Sequence, residues 1–549
     1  MLKFSNASNT VVRPQRFFDR VTFWLARLPV HFKLLKPATC PRCKTDITVH
    51  PLYRQWRVCD SCGHHFSMSA RERIKRLTDP RSFHEFPLAM QNDSAREAIV
   101  TGTARIAEQA LVIAAFDFSV HGGTMSIAVG EQITRAIEYA TQQQMPLVVF
   151  TTTGGVRIQE SMPALLQMAK TAQAAKEFQN TQNPFIAVLC NPTTGGVYAS
   201  FANLADIIFA EPGALVGFAG PRVAEALLHQ KLPADSHRAE TAYASGMIDA
   251  IVARNDLRNR LAQVLSTNTA RKKAEPGITT NETVERTPGI LTASEILTIA
   301  RHPDRPTSLD YIHHLFTDFV ELHGDRLHGD DPAVVGGLAQ FYNQAVLVIA
   351  QERGHGDEHH HGSSGPSGYR KAERLIHLAE RLHLPIITFV DTPGADPGYE
   401  SERLGIASSI ANCIAALLQT PMPTVSLVIG EGTSGGALAL AVTDRVLMME
   451  NATYAVISPE GASAILFGDA SHAAETVENM KNRADDLLPL GIIDEIVCEP
   501  EGGAHMQPDA AIDAMQSALE KTLAQLQLQN DAERLSARRA RYRLAGLSD

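Results

Sequence analysis

The chain has 549 residues, 44% hydrophobic and 20% charged, with 60 acidic against 50 basic side chains and a formal net charge of −10. That length holds about three or four ordinary domains or two large ones, and the composition is that of a globular protein. The acidic balance argues against a general nucleic-acid binder, and seven cysteines are too few for a disulfide framework.

Residues 1–35 read as an N-terminal arm. As far as residue 39 the segment carries seven bases (Lys3, Arg13, Arg16, Arg20, Arg27, Lys33, Lys36) and one acid, Asp19, with Phe17, Phe18, Phe23 and Trp24 between them. A transit peptide or an arm on a membrane surface has this character. A single short amphipathic stretch fits better an arm packed on its own domain. No secretory segment is expected. Residues 36–66 hold Cys40-Pro-Arg-Cys43 and Cys59-Asp-Ser-Cys62, fifteen residues apart. This is the spacing of a four-thiolate zinc ribbon, with one structural Zn2+ per chain supplying folding energy that so small a module lacks. The protein fills all four positions, so no site is left open for catalysis. His64 and His65 read as surface residues, and Cys190, Cys413 and Cys498 as buried small hydrophobes.

Residues 67–265 and 293–549 each alternate amphipathic and apolar runs, and the polar segment 266–292 reads as a linker. The runs LVVF, FIAVLC, PIITF and TVSLVI lack alternation, as expected for parallel strands covered on both faces. Leu404 to Gly430 and Asn183 to Ala205 carry no Asp, Glu, Lys or Arg, but prolines and polar residues break both. A helix followed by a buried strand explains them better than a membrane span. The expectation is a soluble, cytoplasmic protein with reduced thiols.

The two alternating regions resemble each other. EQITRAIEYATQQQ precedes Pro146-LVVFTTTGG, and YRKAERLIHLAERLHL precedes Pro385-IITFVDTPGA. FIAVLCNPTT-Gly195-Gly196 is matched by TVSLVIGEGTS-Gly435-Gly436, and Gly246-MIDAIV by Gly491-IIDEIV. The offsets are 239 at the prolines, 240 at the paired glycines and 245 at the last glycine. Matches in this order indicate a tandem of two related α/β domains.

A glycine pair between a strand and a helix leaves backbone N–H groups open to an anionic oxygen. Gly154-Gly155, Gly195-Gly196 and Gly435-Gly436 qualify. A lone pair would more simply serve close packing, but equivalent pairs in a repeat suggest two oxyanion holes in one enzyme. No Lys-Ser/Thr follows these glycines, which argues against an ATP site. His121 and Glu160 stand near the first pair as an acid or base, or as structural residues; the structural reading is preferred.

These residues resemble the carboxyltransferase component of bacterial-type acetyl-CoA carboxylase, with its β and α subunits fused. The β resemblance spans roughly 30–265 through CPRC…CDSC, HGGTMSIAVGE, TTTGGVRIQES, NPTTGGVYASFANLAD and EPGALVGFAGPRV. The α resemblance spans roughly 295–520 through ARHPDRPTSLDYI, FTDFVELHGDR, GYRKAERLIHLAER, PIITFVDTPGADPG, VIGEGTSGGALALAV and TYAVISPEGASAILF. The resemblance implies tandem crotonase (ClpP/crotonase-like) domains with an active site between a β-type and an α-type domain. It implies transfer of a carboxyl group from carboxybiotin to acetyl-CoA, giving malonyl-CoA. The amides of Gly195 and Gly196 would hold the thioester enolate oxygen, and those of Gly436 and Ala437 the biotin ureido oxygen. Gly154, Gly155 and Gly435 would touch substrate.

No biotin attachment site is evident, so a biotin carboxyl carrier protein and a biotin carboxylase are expected as partners. The family also implies a homodimer of the fused chain. Where α subunits usually have a basic segment before GYRKA, this chain has GHGDEHHHGSSGPSG, from Gly354 to Gly368. That stretch reads as a mobile Gly/Ser-rich loop rather than a metal site, and it leaves room for another short acyl-CoA. Three other readings stand beside this one. The chemistry could run in reverse, in a malonyl- or other acyl-CoA decarboxylase. The chain could be a biotin-independent crotonase enzyme such as a hydratase, or a zinc-ribbon nucleic-acid or scaffold protein.

Overall fold

The duplicated apolar runs fold into two sheets of one topology. The first holds β1 (His84–Glu85), β2 (Ile99–Ile106), β3 (Gln109–Phe116), β4 (Leu147–Thr153), β5 (Phe185–Thr194), β6 (Ile207–Ala210), β7 (Val216–Gly217) and β8 (Ala250–Ile251). The second holds β9 (Thr317–Glu321), β10 (Val334–Phe341), β11 (Gln344–Gln351), β12 (Ile386–Thr392), β13 (Thr424–Thr433), β14 (Arg445–Met449), β15 (Thr453–Ala455) and β16 (Glu495–Val497). Their orders are β1-β2-β3-β4-β5-β6-β8 and β9-β10-β11-β12-β13-β14-β16, with β7 beside β5 and β15 beside β13. In each sheet the first three strands are antiparallel and the rest parallel.

This computed structural model describes residues 39–88, 97–221, 224–225, 229–233, 235–273 and 291–544. The expected arm 1–35 lies outside these residues, as does most of the expected linker. Contacts divide the chain into two units, Met1–His64 and His65–Asp549, and both sheets belong to the second.

Helices cover the sheets as parallel crossovers require. Ile127–Gln143 and Pro366–Leu382, 17 residues each, precede β4 and β12. Ser126 caps the first by accepting from the Val129 N–H (3.0 Å), and Pro366 opens the second, where its missing N–H costs nothing. Both end on a left-handed residue, Gln144 (φ 51°) and His383 (φ 52°). Every residue of β4 and β12 is buried. Phe150, Phe185 and Phe209 lie fully inside the first half, each contributing about 1.5–3 kcal/mol of burial. The helix Leu257–Lys273 runs past the expected start of the linker at 266 and packs on β9, β10 and β11 of the second half.

The same residue spacing relates the two halves throughout the helix–strand–helix–strand segment. Val390 and Thr392 stand 239 residues after Thr151 and Thr153, and the pairing register between the two central strands shifts at both places. This shift opens the carboxyl ends of the central strands, where ligands of open parallel sheets bind.

Candidate active site

Three loops meet at that edge in each half. In the first, His121, Gly122 and Gly123 form a left-handed turn (φ 47°, 64° and 65°). A Cβ on Gly123 would collide with the Thr152 carbonyl oxygen, and the Gly122 carbonyl accepts from the Gly154 N–H (2.9 Å). In the second half His360, His361 and Gly362 repeat the turn (φ 50°, 50° and 80°), and a Cβ on Gly362 would stand 2.7 Å from the Asp391 carbonyl oxygen. The stretch 354–368, expected as a Gly/Ser-rich loop, thus holds a 3-10 turn over Asp357–Gly362 and the start of the helix from Pro366. Its histidines form a defined turn on the pattern of His121-Gly122-Gly123. His359 Nδ1 lies 2.6 Å from the Pro332 carbonyl oxygen, and His361 pairs with Asp357 at 2.9 Å.

The loop after the first central strand is also duplicated. Gly155 (φ 111°) donates its N–H to Thr153 Oγ1 at 2.9 Å, and Gly394 (φ 129°) donates to Thr392 Oγ1 at 3.0 Å. The N–H groups of Gly154 and Gly155 are thus both satisfied inside the protein. These two glycines serve close backbone approach: Gly155 lies against Gly195, whose Cβ would be 2.8 Å from the Gly155 Cα.

After the second central strand come the amide turns. Gly195 has φ 69°, and the residue matching it in the other half is Ser434, at φ 65°. The halves therefore align at 239 here too, and the offset of 240 read from the glycine pairs is one residue too long. Gly195 does not offer a free donor: its N–H reaches the carbonyls of Gly217 (3.2 Å) and Phe218 (2.9 Å). Among the described residues no backbone carbonyl accepts from Gly196 outside regular helix and strand ladders. In the second half the helix Ser434–Ala441 begins after Thr433 with no side-chain cap. The N–H groups that open a helix lack intrahelical partners, and here they fall in the stretch that holds Gly435 and Gly436. This stretch overlaps the expected Gly436–Ala437 pair at Gly436. Gly435 faces open space, its nearest neighbour to a Cβ being Ile410 Cγ2 at 3.8 Å. Gly436 is tight, since a Cβ would stand 2.7 Å from the Ala395 nitrogen and 2.6 Å from the Tyr369 hydroxyl.

The floors beneath the two turns differ. Behind Gly436, Gln351 Nε2 donates to its carbonyl (2.7 Å). The Tyr369 hydroxyl, Gln351 Oε1 and Asp391 Oδ2 are buried with no hydrogen-bond partner among the described residues. Burial raises the Asp391 pKa, although Arg353 lies 3.8 Å from its Oδ2 and the Glu431 N–H donates to Oδ1. Glu431 is clasped by Arg301 (2.6 and 2.8 Å), which also reaches Glu460. Matching positions in the first half are uncharged: Gly130 for Tyr369, Thr152 for Asp391 and Pro192 for Glu431. The Gln167 side chain fills the space over Gly130.

His121 is exposed. Glu160 accepts from the Ile127 N–H (2.7 Å) at the start of its helix and lies 3.4 Å from Arg157, a structural role. His65, expected at the surface, is buried and accepts from the Arg254 N–H at 3.2 Å. Cys190 and Cys413 are buried, and Cys498 is half-buried. Sequence reasoning did not find Asp391, Tyr369 and Gln351, which three separate elements bring together.

Within the unit Met1–His64, Cys40 and Cys59 open two identical knuckles. The Lys44 N–H donates to the Cys40 carbonyl and the Gly63 N–H to that of Cys59, both at 2.9 Å. Lys44 (φ 63°) and Gly63 (φ 68°) are left-handed. The four sulfurs lie within 4.8 Å of one another, with Cys40–Cys62 at 3.6 Å and Cys43–Cys59 at 3.7 Å. Tetrahedral Zn–S bonds of about 2.3 Å place sulfurs about 3.8 Å apart, so the donor set fits zinc. Among the described residues these cysteines alone form such a group.

Two α/β halves of one topology, each built on a mostly parallel sheet with glycine turns at the carboxyl ends of its central strands, define a crotonase-like fold. A family profile described as "Acetyl co-enzyme A carboxylase carboxyltransferase-like" matches residues 256–546. The chain is 40% identical over 533 residues to the acetyl-coenzyme A carboxylase carboxyl transferase subunits beta/alpha of Saccharopolyspora erythraea, covering 92% of this chain and 93% of that relative. It is 41% identical to the protein so named from Salinispora tropica, covering 92% and 96%. Among solved structures the fold resembles transcarboxylase 12S, a hexamer seen with methylmalonyl-coenzyme A and methylmalonic acid bound. The TM-score is 0.68 at 22% identity, over 83% of this chain and 89% of that one. The chain belongs to the acetyl-CoA carboxylase carboxyltransferase family, with β-type and α-type halves in one polypeptide.

Proposed function

We propose that this enzyme moves the carboxyl group of carboxybiotin, presented by a biotin carboxyl carrier protein, to acetyl-CoA. A biotin carboxylase would recharge the carrier, and the reaction would run in the cytoplasm. The supporting observation is the pair of amide turns in equivalent places, one over an uncharged floor and one over a floor rich in ionisable and amide groups. The reaction develops negative charge on two oxygens, one of a thioester and one of a urea ring. The N–CO2 bond of carboxybiotin breaks and leaves its electron pair on the ureido group, held by the second-half donors at Gly435 and Gly436. That group takes a proton from the thioester methyl, and the resulting enolate, held from Gly196, forms the new C–C bond with CO2. Malonyl-CoA and biotin result, with no protein base required. The uncharged first-half floor suits a thioester, and the second-half floor, with the Gln351 amide and the Tyr369 hydroxyl, suits a ring carrying N–H and C=O.

The turns would meet across a homodimer. Beside the first turn Ile158, Met162 and Leu166 are exposed in the single chain, and beyond the second so are Val456, Ile465 and Leu466. Apolar groups in such number around a site are ordinary for an assembly interface. Zinc would hold the knuckles of Cys40, Cys43, Cys59 and Cys62, so a chelator should release one Zn2+ per chain and unfold that unit.

The test is carboxylation of acetyl-, propionyl- and butyryl-CoA with charged carrier, alongside malonyl-CoA-dependent carboxylation of biocytin. Acetyl-CoA should be preferred, with carboxyl transfer measurable in both directions. Absence of transfer with every acyl-CoA in both directions sinks the reading, and a preference for another acyl-CoA reassigns the substrate.

A further inference from the structure

A socket for arginine is duplicated in the two halves, and the first-half copy joins them. In the first half, Asp206 Oδ2 accepts the Phe185 N–H at the start of β5 (2.7 Å), and Asp249 Oδ2 accepts the Ile208 N–H of β6 (2.7 Å). In the second half, Asp444 Oδ2 accepts the Thr424 N–H of β13 and Asp494 Oδ2 the Val446 N–H of β14, both at 2.8 Å. Each aspartate pair caps the amino ends of two parallel strands and keeps carboxylate oxygens free to bind a cation.

In the first half the cations come from the second. Arg381 forks onto both oxygens of Asp206 and donates to the carbonyls of Gln179 (3.2 Å), Thr181 (2.6 Å) and Asn183 (2.5 Å). Arg326 reaches Asp249 and the Met247 carbonyl. These contacts clasp the two halves together.

In the second half the cations come from the helix Asp531–Leu544, the last described element of the chain. Arg538 forks onto Asp444 (Nε–Oδ1 2.8 Å, Nη2–Oδ2 2.6 Å) and donates to the carbonyls of Leu417 (2.8 Å), Thr420 (2.9 Å) and Met422 (2.8 Å). Arg541 reaches Asp494 (2.6 Å) and the Ile492 carbonyl (2.8 Å). The agreement is atom for atom: in both arginines Nε and Nη2 take the carboxylate, Nη1 takes two carbonyls, and Nη2 takes the third. Yet the two helices that present them have no sequence relation in the repeat. The repeat's own counterpart of Arg381 in the first half is Gln142, which cannot form this charged fork.

We propose that the helix Asp531–Leu544 is a plug. It occupies, on the second half, the same docking socket through which the first half is clasped, and it supplies the arginine that the first half's equivalent helix lacks. The partner this surface fits is thus a helix bearing an arginine over an Asp-and-carbonyl cup, and this chain carries its own. The seat extends beyond that arginine: the Tyr542 hydroxyl donates to the carbonyls of Ala441 (3.0 Å) and Thr443 (3.2 Å), and a cavity of about 370 Å³ lies beside Asp444, Asp494, Arg538 and Arg541.

The experiment is amide hydrogen exchange on the full chain carrying Arg538→Ala. Exchange over 531–544 and 417–424 should quicken at least tenfold, while 179–185, under the Arg381 clasp, stays as protected as before. A synthetic peptide of residues 530–544 added to this variant should restore protection at 417–424, and the same peptide with Ala at 538 should not. Unchanged exchange at 417–424, failure of the peptide to restore protection, or loosening that spreads to 179–185 would each overturn the proposal. Should Arg538→Ala fail to fold, Arg541→Ala, on the more exposed contact, should loosen the same segments by a smaller factor. If it leaves them unchanged, the plug is refuted.

Discussion

The two amide turns share a backbone and differ in what stands under it. In the first half the turn rests on Gly130, Thr152 and Pro192, none ionisable. In the second it rests on Tyr369, Asp391 and Glu431, with Gln351 bonded to the Gly436 carbonyl. A duplicated scaffold has kept the geometry that places N–H groups and changed the chemistry beneath them. On the proposed reaction, either turn would hold an oxygen anion, and the floor would decide which molecule brings that oxygen.

The largest expected effect separates two neighbouring glycines. Gly436→Ala puts a methyl 2.7 Å from the Ala395 nitrogen and displaces the turn, whereas Gly435→Ala meets nothing closer than 3.8 Å. Gly436→Ala should lower kcat by about 10²–10³ with the fold intact, the range for loss of one oxyanion donor. Gly435→Ala should lower it by less than tenfold. Equal losses in both would show that the second turn works through its floor and not its amides.

The corresponding break in the first half is Gly195→Ser. It copies the residue found at Ser434, but here a Cβ would lie 2.8 Å from the Gly155 Cα. Left-handed strain and overpacking together should cost about 2–4 kcal/mol, read by chemical denaturation. A neutral result would mean the two turns are interchangeable.

How much of this was legible in the sequence follows from what a pattern can carry. Apolar runs and Cys-x2-Cys spacing are local, and they lead to the strands and to the two knuckles, while the glycine pairs mark the turns without fixing their register. Glycine identity, however, is a proxy for a left-handed backbone, and Ser434, His360 and His361 adopt that backbone without being glycine. Hence the glycine pairs align one residue off at the amide turns, and the histidine-rich segment gives no sign of the turn over Asp357–Gly362. Tyr369, Gln351 and Asp391, and the plug of Arg538 on Asp444, join elements far apart in the chain. No spacing rule reveals them until the sheet has formed.

A third test uses pH. Burial raises the Asp391 pKa. The folded chain therefore holds this proton more tightly than the unfolded one, and stability falls as pH rises from the ordinary aspartate range towards the raised value. Asp391→Asn keeps an acceptor for the Glu431 N–H and removes the buried charge. The variant should gain on the wild type as pH rises and match it below about pH 4, near the unfolded aspartate pKa. A difference that does not change with pH would show that Asp391 ionises without cost, its charge met by Arg353.

The smallest effect sharpens the comparison most. Ser434 holds φ 65°, which a serine adopts at a cost of about 1 kcal/mol and a glycine freely. Ser434→Gly relieves that strain but gives the unfolded chain more freedom, a loss of about 0.5–1 kcal/mol, so net stability should move by only a few tenths. If the hydroxyl is a passenger, activity follows stability and stays within twofold. A tenfold fall in kcat at unchanged stability would instead give the second-half turn a side-chain donor beside its amides. The two turns would then differ in the turn itself as well as in the floor beneath it.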